Sequence, residues 1–296
     1  MHWRSRGKAV DRSAAAGGGF VPGANENEIR GDKMKCVLKY PGAKNRIANW
    51  ICEYIPEHEV YLEPYFGSGA VFFSKFPARI ETLNDLDGNV VNYFQVIREN
   101  WEKLAAQLEM TPYSREEYYR ACEYDPKESD LEKARKFAVR CWMGFGCSNL
   151  YRNGFRSSQQ RTSPHTTGEW RSLPERLLAA SERLKNAQIE NLPAAELIRR
   201  YDTPDVFLYV DPPYLHGTRK NYLYHHEMKD AEHIELLELL VEHPGKVMLS
   251  GYDNDLYNGM LQGWRKVQKR TQAEAGIMRT ETLWMNYEIG QMKLFS

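Results

Sequence analysis

The sequence predicts an α/β fold: a mostly parallel, doubly wound sheet carrying a mainly helical insertion. Three observations point there. Short apolar runs alternate with amphipathic helical stretches, the order expected of βαβ units. A glycine-bearing turn, Pro64 to Gly69, directly follows the first such run. The run Val206-Phe207-Leu208-Tyr209-Val210 carries no charge and ends at Asp211-Pro212-Pro213-Tyr214. It reads as a central strand buried on both faces, stopping at the sheet edge where such folds bind ligands.

The elements follow in order. Residues 1–33 lack the apolar core of a signal peptide, and Ala14 to Gly19 followed by Pro22, Gly23 and Asn25 reads as a disordered leader. Folding is expected to begin near Met34. From Asn45 to Ile55, residues Ile47, Trp50, Ile51, Tyr54 and Ile55 recur at helical spacing on one face. A strand at Val60 to Glu63, a brief helix over Ala70 to Phe76 and a strand at Ile80 to Leu83 come next. The helix from Val90 to Leu108 aligns Phe94, Ile97, Trp101 and Leu104. Helices at Ser114 to Tyr124 and Leu131 to Met143 then lead into Gly144 to Gly168, which is too long for an ordinary connection. Residues 110–185 are therefore read as an insertion between two parts of a core domain, 34–109 and 186–296. Alternation resumes with strands at Gln188 to Glu190 and Val206 to Val210, a helix at Ala231 to Val241 and a strand at Lys246 to Ser250. Trp264 to Arg270 and Thr282 to Tyr287 fit a closing antiparallel hairpin.

Composition excludes several classes. No run approaches the roughly 18 consecutive apolar residues that span a bilayer, so no membrane partner is expected. Cys36, Cys52, Cys122, Cys141 and Cys147 form an odd set without a C-x-x-C pair, which argues for a reducing cytoplasm and against a disulfide framework or cysteine-held zinc. His225, His226, Glu227 and His233 lack the H-E-x-x-H spacing of a metalloprotease, and no metal is expected. Net charge is zero, but residues 134–185 hold ten Lys or Arg against three Glu. That local basic excess suits a polyanion.

The motifs carry the chemistry. Asp211-Pro212-Pro213-Tyr214 joins a carboxylate, two rigid residues and an aromatic ring, a set that can grip and stack a planar amine. A strand ending in a Pro-rich turn with a packed Tyr is the plain structural alternative. Glu63 to Gly69 sits between strand and helix, where glycine permits close approach to the backbone. It is neither G-x-G-x-x-G nor a P-loop. Asn84-Asp85-Leu86-Asp87 follows at the distance from which an acid reaches a ribose; Asp85 is read as that ligand and Asp87 as a helix cap. Tyr40-Pro41-Gly42-Ala43-Lys44 supplies a turn and a cation that can pair with a cofactor carboxylate, or remain a solvated surface charge.

From Met34 onward these motifs, in this order, resemble Dam-type DNA adenine-N6 methyltransferases of the kind carried by phages and prophages. Leu249 to Asn254 and Glu281 to Tyr287 add to the likeness. The resemblance implies a Rossmann-like methyltransferase sheet and S-adenosylmethionine as cofactor. It implies cofactor contacts from Tyr40, Gly42, Lys44, Glu63, Pro64, Phe66, Gly67, Ser68, Gly69, Asp85 and Asp211, and from Asn191 to the cofactor adenine. It also implies catalysis at Asp211, Pro212, Pro213 and Tyr214 on a base flipped out of double-stranded DNA. The insertion then becomes a target-recognition lobe, with Arg140, Asn149, Arg152, Asn153, Arg156 and Arg161, joined by Lys220 beyond the catalytic turn, on DNA. Action as a monomer is expected, with dimerisation on DNA as the alternative. Methylation of cytosine N4, a catalytically silent DNA-binding homologue and a nucleotide-binding metabolic enzyme are the competing readings. The role in the cell, in restriction-modification, as a solitary regulator or as phage protection, is left open by the sequence.

Overall fold

The computed structural model of the chain describes residues 34–145, 152–160, 163, 165–215, 226–272 and 278–288. Among them, seven strands form one sheet in the order β3-β2-β1-β4-β5-β7-β6. These are β1 (Val60–Glu63), β2 (Ile80–Asn84), β3 (Ala187–Glu190), β4 (Val206–Val210), β5 (Lys246–Tyr252), β6 (Arg265–Gln272) and β7 (Met278–Met285). The first five are parallel to their neighbours; β7 inserts antiparallel between β5 and β6 and closes the sheet as a hairpin. The mostly parallel α/β fold and its antiparallel closure are as the sequence predicts.

Strand β4 shows why. All five of its residues are buried. Their side chains alternate, as pleating requires. Phe207 and Tyr209 join the apolar cluster on one face, and Val206, Leu208 and Val210 join that on the other. The helices α1 (Ala48–Cys52), α2 (Gly88–Met110), α4 (Asp130–Met143) and α6 (Leu173–Leu184) contribute to the first cluster, whereas α7 (Ala194–Arg200), α8 (Asp230–Glu242) and α9 (Asp255–Met260) contribute to the second. The sheet is thus covered on both sides, which the continuous apolar run demands.

The elements differ from expectation in two respects. Residues 70–76 form successive turns, not an α-helix. Phe73 and Lys75 bond four residues back, Ser74 bonds three back, and the Ser74 hydroxyl takes the Ala70 carbonyl at 2.7 Å. Adjacent Phe72 and Phe73 both pack on Phe66, so ring packing fixes this turn more than helical periodicity does. The second difference is helices the sequence reading did not isolate: α5 (Thr166–Arg171), α6, α7 and α9. In α6 the buried Leu173, Leu177, Ala180, Ser181 and Leu184 follow helical spacing, but the basic residues between them drew the reading toward charge.

The inserted helices share the main apolar cluster, through Phe137, Trp142, Trp170, Leu173 and Leu177. Helix α3 (Arg115–Ala121) precedes them, capped by Ser114, whose hydroxyl accepts the Glu117 N–H at 3.1 Å. The segment ahead of Tyr40 is tied to these helices: Arg176 donates to the Cys36 carbonyl at 2.7 Å, and Lys39 pairs with Glu169 and lies over the Trp142 ring at 4.5 Å. No helix among the described residues is long and apolar enough to cross a membrane.

One buried ionic group anchors α6 to the sheet. Glu81 on β2, 1% exposed, accepts Lys75 at 2.6 Å and both guanidinium nitrogens of Arg183, which lies flat on Phe72 at 3.7 Å. Burial pushes the Glu81 carboxyl up, yet these two cations hold it below the usual carboxylate range. Removing one member of such a group strands the others without a counter-charge. Glu81→Gln is expected to cost about 3–5 kcal/mol in a urea unfolding titration, well beyond any surface pair of this chain.

Candidate active site

Chain order reverses between β1 and β4: the chain runs outward through β2 and β3 before returning to lie beside β1. A crevice at the carboxyl ends of the strands is the geometric result. Here it is a cavity of about 400 Å³, walled by Tyr40 to Lys44, Glu63 to Ser68, Asn84 to Asp87, Pro193 to Glu196, Asp211, Pro213 and residues near the start of α8.

The glycine turn is shaped by its neighbours. Gly67 and Gly69 have φ of +49° and +68°, in the left-handed region that side chains disfavour. A Cβ on Gly67 would also stand 3.2 Å from the Tyr40 ring, and one on Gly69 would collide with Phe66. The Gly67 N–H donates to Asp85 at 2.8 Å, and the Asp87 N–H donates to the other oxygen of Asp85 at 2.9 Å. Asp85 is thereby fixed at the cavity wall, half-buried; burial pushes its carboxyl up to about 7 against the pull of those bonds. Asp87 caps α2 by accepting the Asn89 N–H at 2.9 Å, as read from the sequence. Asn84, the first residue of the acidic motif, is the staple: its amide donates to the Pro64 and Leu192 carbonyls at 2.9 and 3.0 Å and accepts the Leu192 N–H at 2.8 Å.

Glu63 ends β1 with 2% exposure and accepts the Tyr61 hydroxyl at 2.7 Å. Burial, foremost, raises its carboxyl to about 8. The neighbouring strand end carries Asp211. Its Oδ1 accepts the Ser250 hydroxyl at 2.6 Å and its Oδ2 pairs with Lys44 at 2.7 Å. Lys44 is 6% exposed, donates also to the Gly42 carbonyl at 2.8 Å, and stands over the Tyr214 ring at 4.8 Å. Burial opposes its charge, but Asp211 and then Glu281 more than offset this and hold its pKa above the usual value. The Tyr214 hydroxyl donates to Glu281 at 2.8 Å, and its phenol is raised well above normal by burial and by these two acids.

The structure brings Tyr40, Gly42, Lys44, Glu63, Pro64, Phe66, Gly67, Ser68, Asp85, Asp211 and Pro213 to one cavity, with Tyr214 facing Lys44 and Gly69 shaping the turn behind them. Two of the expected cofactor contacts have partners within the chain. Lys44, read as a partner for a cofactor carboxylate, lines the cavity and is paired with Asp211. Asn191, read as an adenine contact, donates its amide to the Asp85 and Leu86 carbonyls at 2.7 and 3.3 Å and leaves that wall to Pro193, Ala194 and Ala195. Ser250, Glu281 and Tyr252 were not assigned roles from sequence; they come from strands distant in the chain, and their own segments carry no motif that spells out contact with residue 211 or 214.

The basic lobe divides similarly. Arg140 is half-buried and donates to the Ala121 carbonyl at 2.9 Å and to Asn89 at 3.3 Å, inside the protein. Arg156 donates its Nε to the Gly144 carbonyl at 3.0 Å, and the Asn153 carbonyl accepts the Tyr118 hydroxyl at 2.9 Å. These bonds, with the Gly144–Phe155 bridge, brace the base of the loop. Arg152 is exposed and stacks on Tyr119 at 4.6 Å. Asn149, Arg161 and Lys220 lie outside the described residues, as does His225. Among the described residues no group of His, Cys, Asp or Glu is arranged to hold a metal ion.

Comparison with known proteins gives this geometry its context. The chain is 25% identical over 293 residues to the type II methyltransferase M.MjaIII of Methanocaldococcus jannaschii, covering 86% of this chain and 100% of that one. It is 28% identical over 196 residues to the type II methyltransferase M1.LlaDCHI of Lactococcus lactis subsp. cremoris, covering 62% and 66%. The DNA adenine methylase of Escherichia coli (strain K12) is 26% identical over 236 residues, covering 76% and 83%. Among solved structures, a putative methyltransferase yhhF from Escherichia coli overlaps 86% of this chain and 92% of its own at 15% identity, with a TM-score of 0.35, too slight a likeness to argue from. The model for D12 class N6 adenine-specific DNA methyltransferases matches residues 40–275, from the tyrosine that roofs the glycine turn to the closing hairpin, and the chain belongs to that family.

Proposed function

We propose that the chain methylates N6 of an adenine flipped out of a specific site in double-stranded DNA, with Asp211 as the acceptor that grips the target amine. One observation carries this: the Asp211 carboxylate, held by Lys44 and Ser250, opens on the same cavity as the glycine turn. A carboxylate offers about four lone-pair sites. Ser250 and Lys44 take one on each oxygen, fixing its plane and leaving acceptors for an N–H. Asp211 so held acts on the amine through a hydrogen bond.

S-adenosylmethionine, the methyl donor of the family, supplies a methyl group on a positively charged sulfur. The residues fit such a ligand. Glu63 and Asp85 crowd the wall with carboxyl groups whose protons a cation would displace, Asp85 stands where a ribose hydroxyl can donate to it, and Pro193 to Ala195 offer an apolar surface to a purine. The chain's own contribution to the reaction is positioning and electrostatics. Asp211 accepts one N6 hydrogen and the Pro212 carbonyl the other, which draws the nitrogen lone pair out of conjugation. Tyr214 offers its face to the flipped base. Asp211 then stabilises the positive product amine and passes its surplus proton to water. Outside the cavity, exposed Arg152 is the phosphate contact, while Arg140 and Arg156 support the loop that carries it.

Asp211→Ala is expected to reduce tritiated-methyl incorporation into DNA by at least about 10²–10³-fold, while calorimetry still detects S-adenosylmethionine binding; loss of both together would remove the assigned role. Arg152→Ala should weaken DNA binding and lower the slope of log K against log salt by about one. Arg140→Ala should instead lower the melting temperature at an unchanged slope. In the free protein the folded pKa values of Glu63 (about 8) and Asp85 (about 7) exceed the unfolded 4.5 and 3.8. Their contribution to stability is therefore complete below about pH 4 and is lost as pH rises through 7 to 8. Glu63→Gln should flatten the decline of the melting temperature between pH 5 and 8.

A further inference from the structure

The ring of Tyr214 is held by contacts that no motif announces. Its hydroxyl donates to Glu281 at 2.8 Å across a separation of 67 residues. It packs T-shaped against Tyr252 at 4.5 Å between centroids and 71° between planes, and Tyr252 is itself the register partner of Glu281 on the adjacent strand. The Lys44 ammonium lies over the ring at 4.8 Å. A tyrosine ring turns easily about its second side-chain torsion, whose wells are broad. The phenol bond removes that freedom.

Glu281 is a costly residue for this purpose alone. It lies on β7 between Thr280 and Thr282 with 8% exposure, and burial of an acid without full compensation is unfavourable. Burial, foremost, raises its pKa, while Lys44 and the Tyr214 bond pull the other way. Its carboxylate accepts the hydroxyl of the ring that follows the two prolines.

We propose that Glu281 is a positioning residue for methyl transfer: its buried carboxyl holds the Tyr214 phenol and so sets the plane on which the target adenine stacks. The proposal rests on the reading above that Tyr214 stacks the flipped base. It makes the closing hairpin part of the reaction machinery, since the acceptor of the phenol bond arrives on β7. Glu281 touches neither base nor cofactor in this scheme and acts through the ring.

The test is a double-mutant cycle read by single-turnover methylation and by the fluorescence of 2-aminopurine placed at the target adenine. Tyr214→Phe and Glu281→Leu are each expected to slow methyl transfer by about tenfold and to raise the 2-aminopurine signal through poorer stacking, with calorimetric S-adenosylmethionine affinity unchanged. The double variant should be no slower than the worse single one. Glu281→Gln, whose amide oxygen still accepts the phenol, should recover most of the loss. Additive losses of about a hundredfold, or a Glu281→Gln variant as slow as Glu281→Leu, would overturn the proposal. Should Glu281→Leu not fold, Tyr214→Phe reads the same bond from the ring side, and a wild-type rate there overturns it equally. Tyr214→Ala separates the two readings. If it keeps the full rate and leaves the 2-aminopurine signal unchanged, the stacking role fails; if it slows transfer and raises the signal while Tyr214→Phe does neither, only the role of Glu281 fails.

Discussion

The ion pair between Lys44 and Asp211 is the interaction on which the site turns. Asp211 ends a strand with no polar side chain facing either apolar cluster, so its charge emerges where water is scarce and must be met by the protein. Lys44 meets it from the far side of the cavity, 167 residues earlier in the chain. That single contact joins the first turn of the fold to the last parallel strand but one, and it sits under the face of Tyr214. Around it stand Glu63, Asp85 and Glu281, acids whose protons are held more tightly than usual by burial. A cation bound beside Glu63 and Asp85, such as a sulfonium cofactor, would favour their ionised forms.

Much of this was legible in the sequence because it follows from local rules. The alternation of runs and stripes yields the sheet, the two prolines end β4, and the aspartate before α2 caps it. The glycine turn, the acidic strand end and Asp211 converge as their order implies. What was not legible is contact between side chains distant in the chain. Ser250 on Asp211 and Glu281 on Tyr214 depend on which strands end up adjacent and on a register that no local pattern encodes. The sequence marks Arg140 and Arg152 alike as basic. Only packing separates the arginine that bonds to Ala121 and Asn89 from the one left exposed on Tyr119.

The inserted lobe and the core are one packing problem. Trp142 and Trp170 donate their ring N–H groups to the Val37 and Thr111 carbonyls at 3.4 and 3.0 Å, and α6 returns to grip Glu81 on β2. The residues that lead into Tyr40 are clasped by the same helices. Damage to these helices is thus felt at the sheet.

The pairing of β1 with β4 has a metric consequence. Val60, Tyr61 and Leu62 lie opposite Val206, Phe207 and Leu208 in register, so Glu63 and Asp211 leave the sheet from neighbouring strand ends. That register sets Glu63 opposite Tyr209, so Asp211 stands two residues farther along, its backbone offset from that of Glu63 by one strand spacing, roughly 4.8 Å, across the sheet and by roughly 6.6 Å along it. Side-chain substitutions in the loops cannot stretch that interval. The sheet acts as a ruler: the offset between these two carboxyl-bearing residues is written in backbone geometry, insulated from the drift of the surfaces around it.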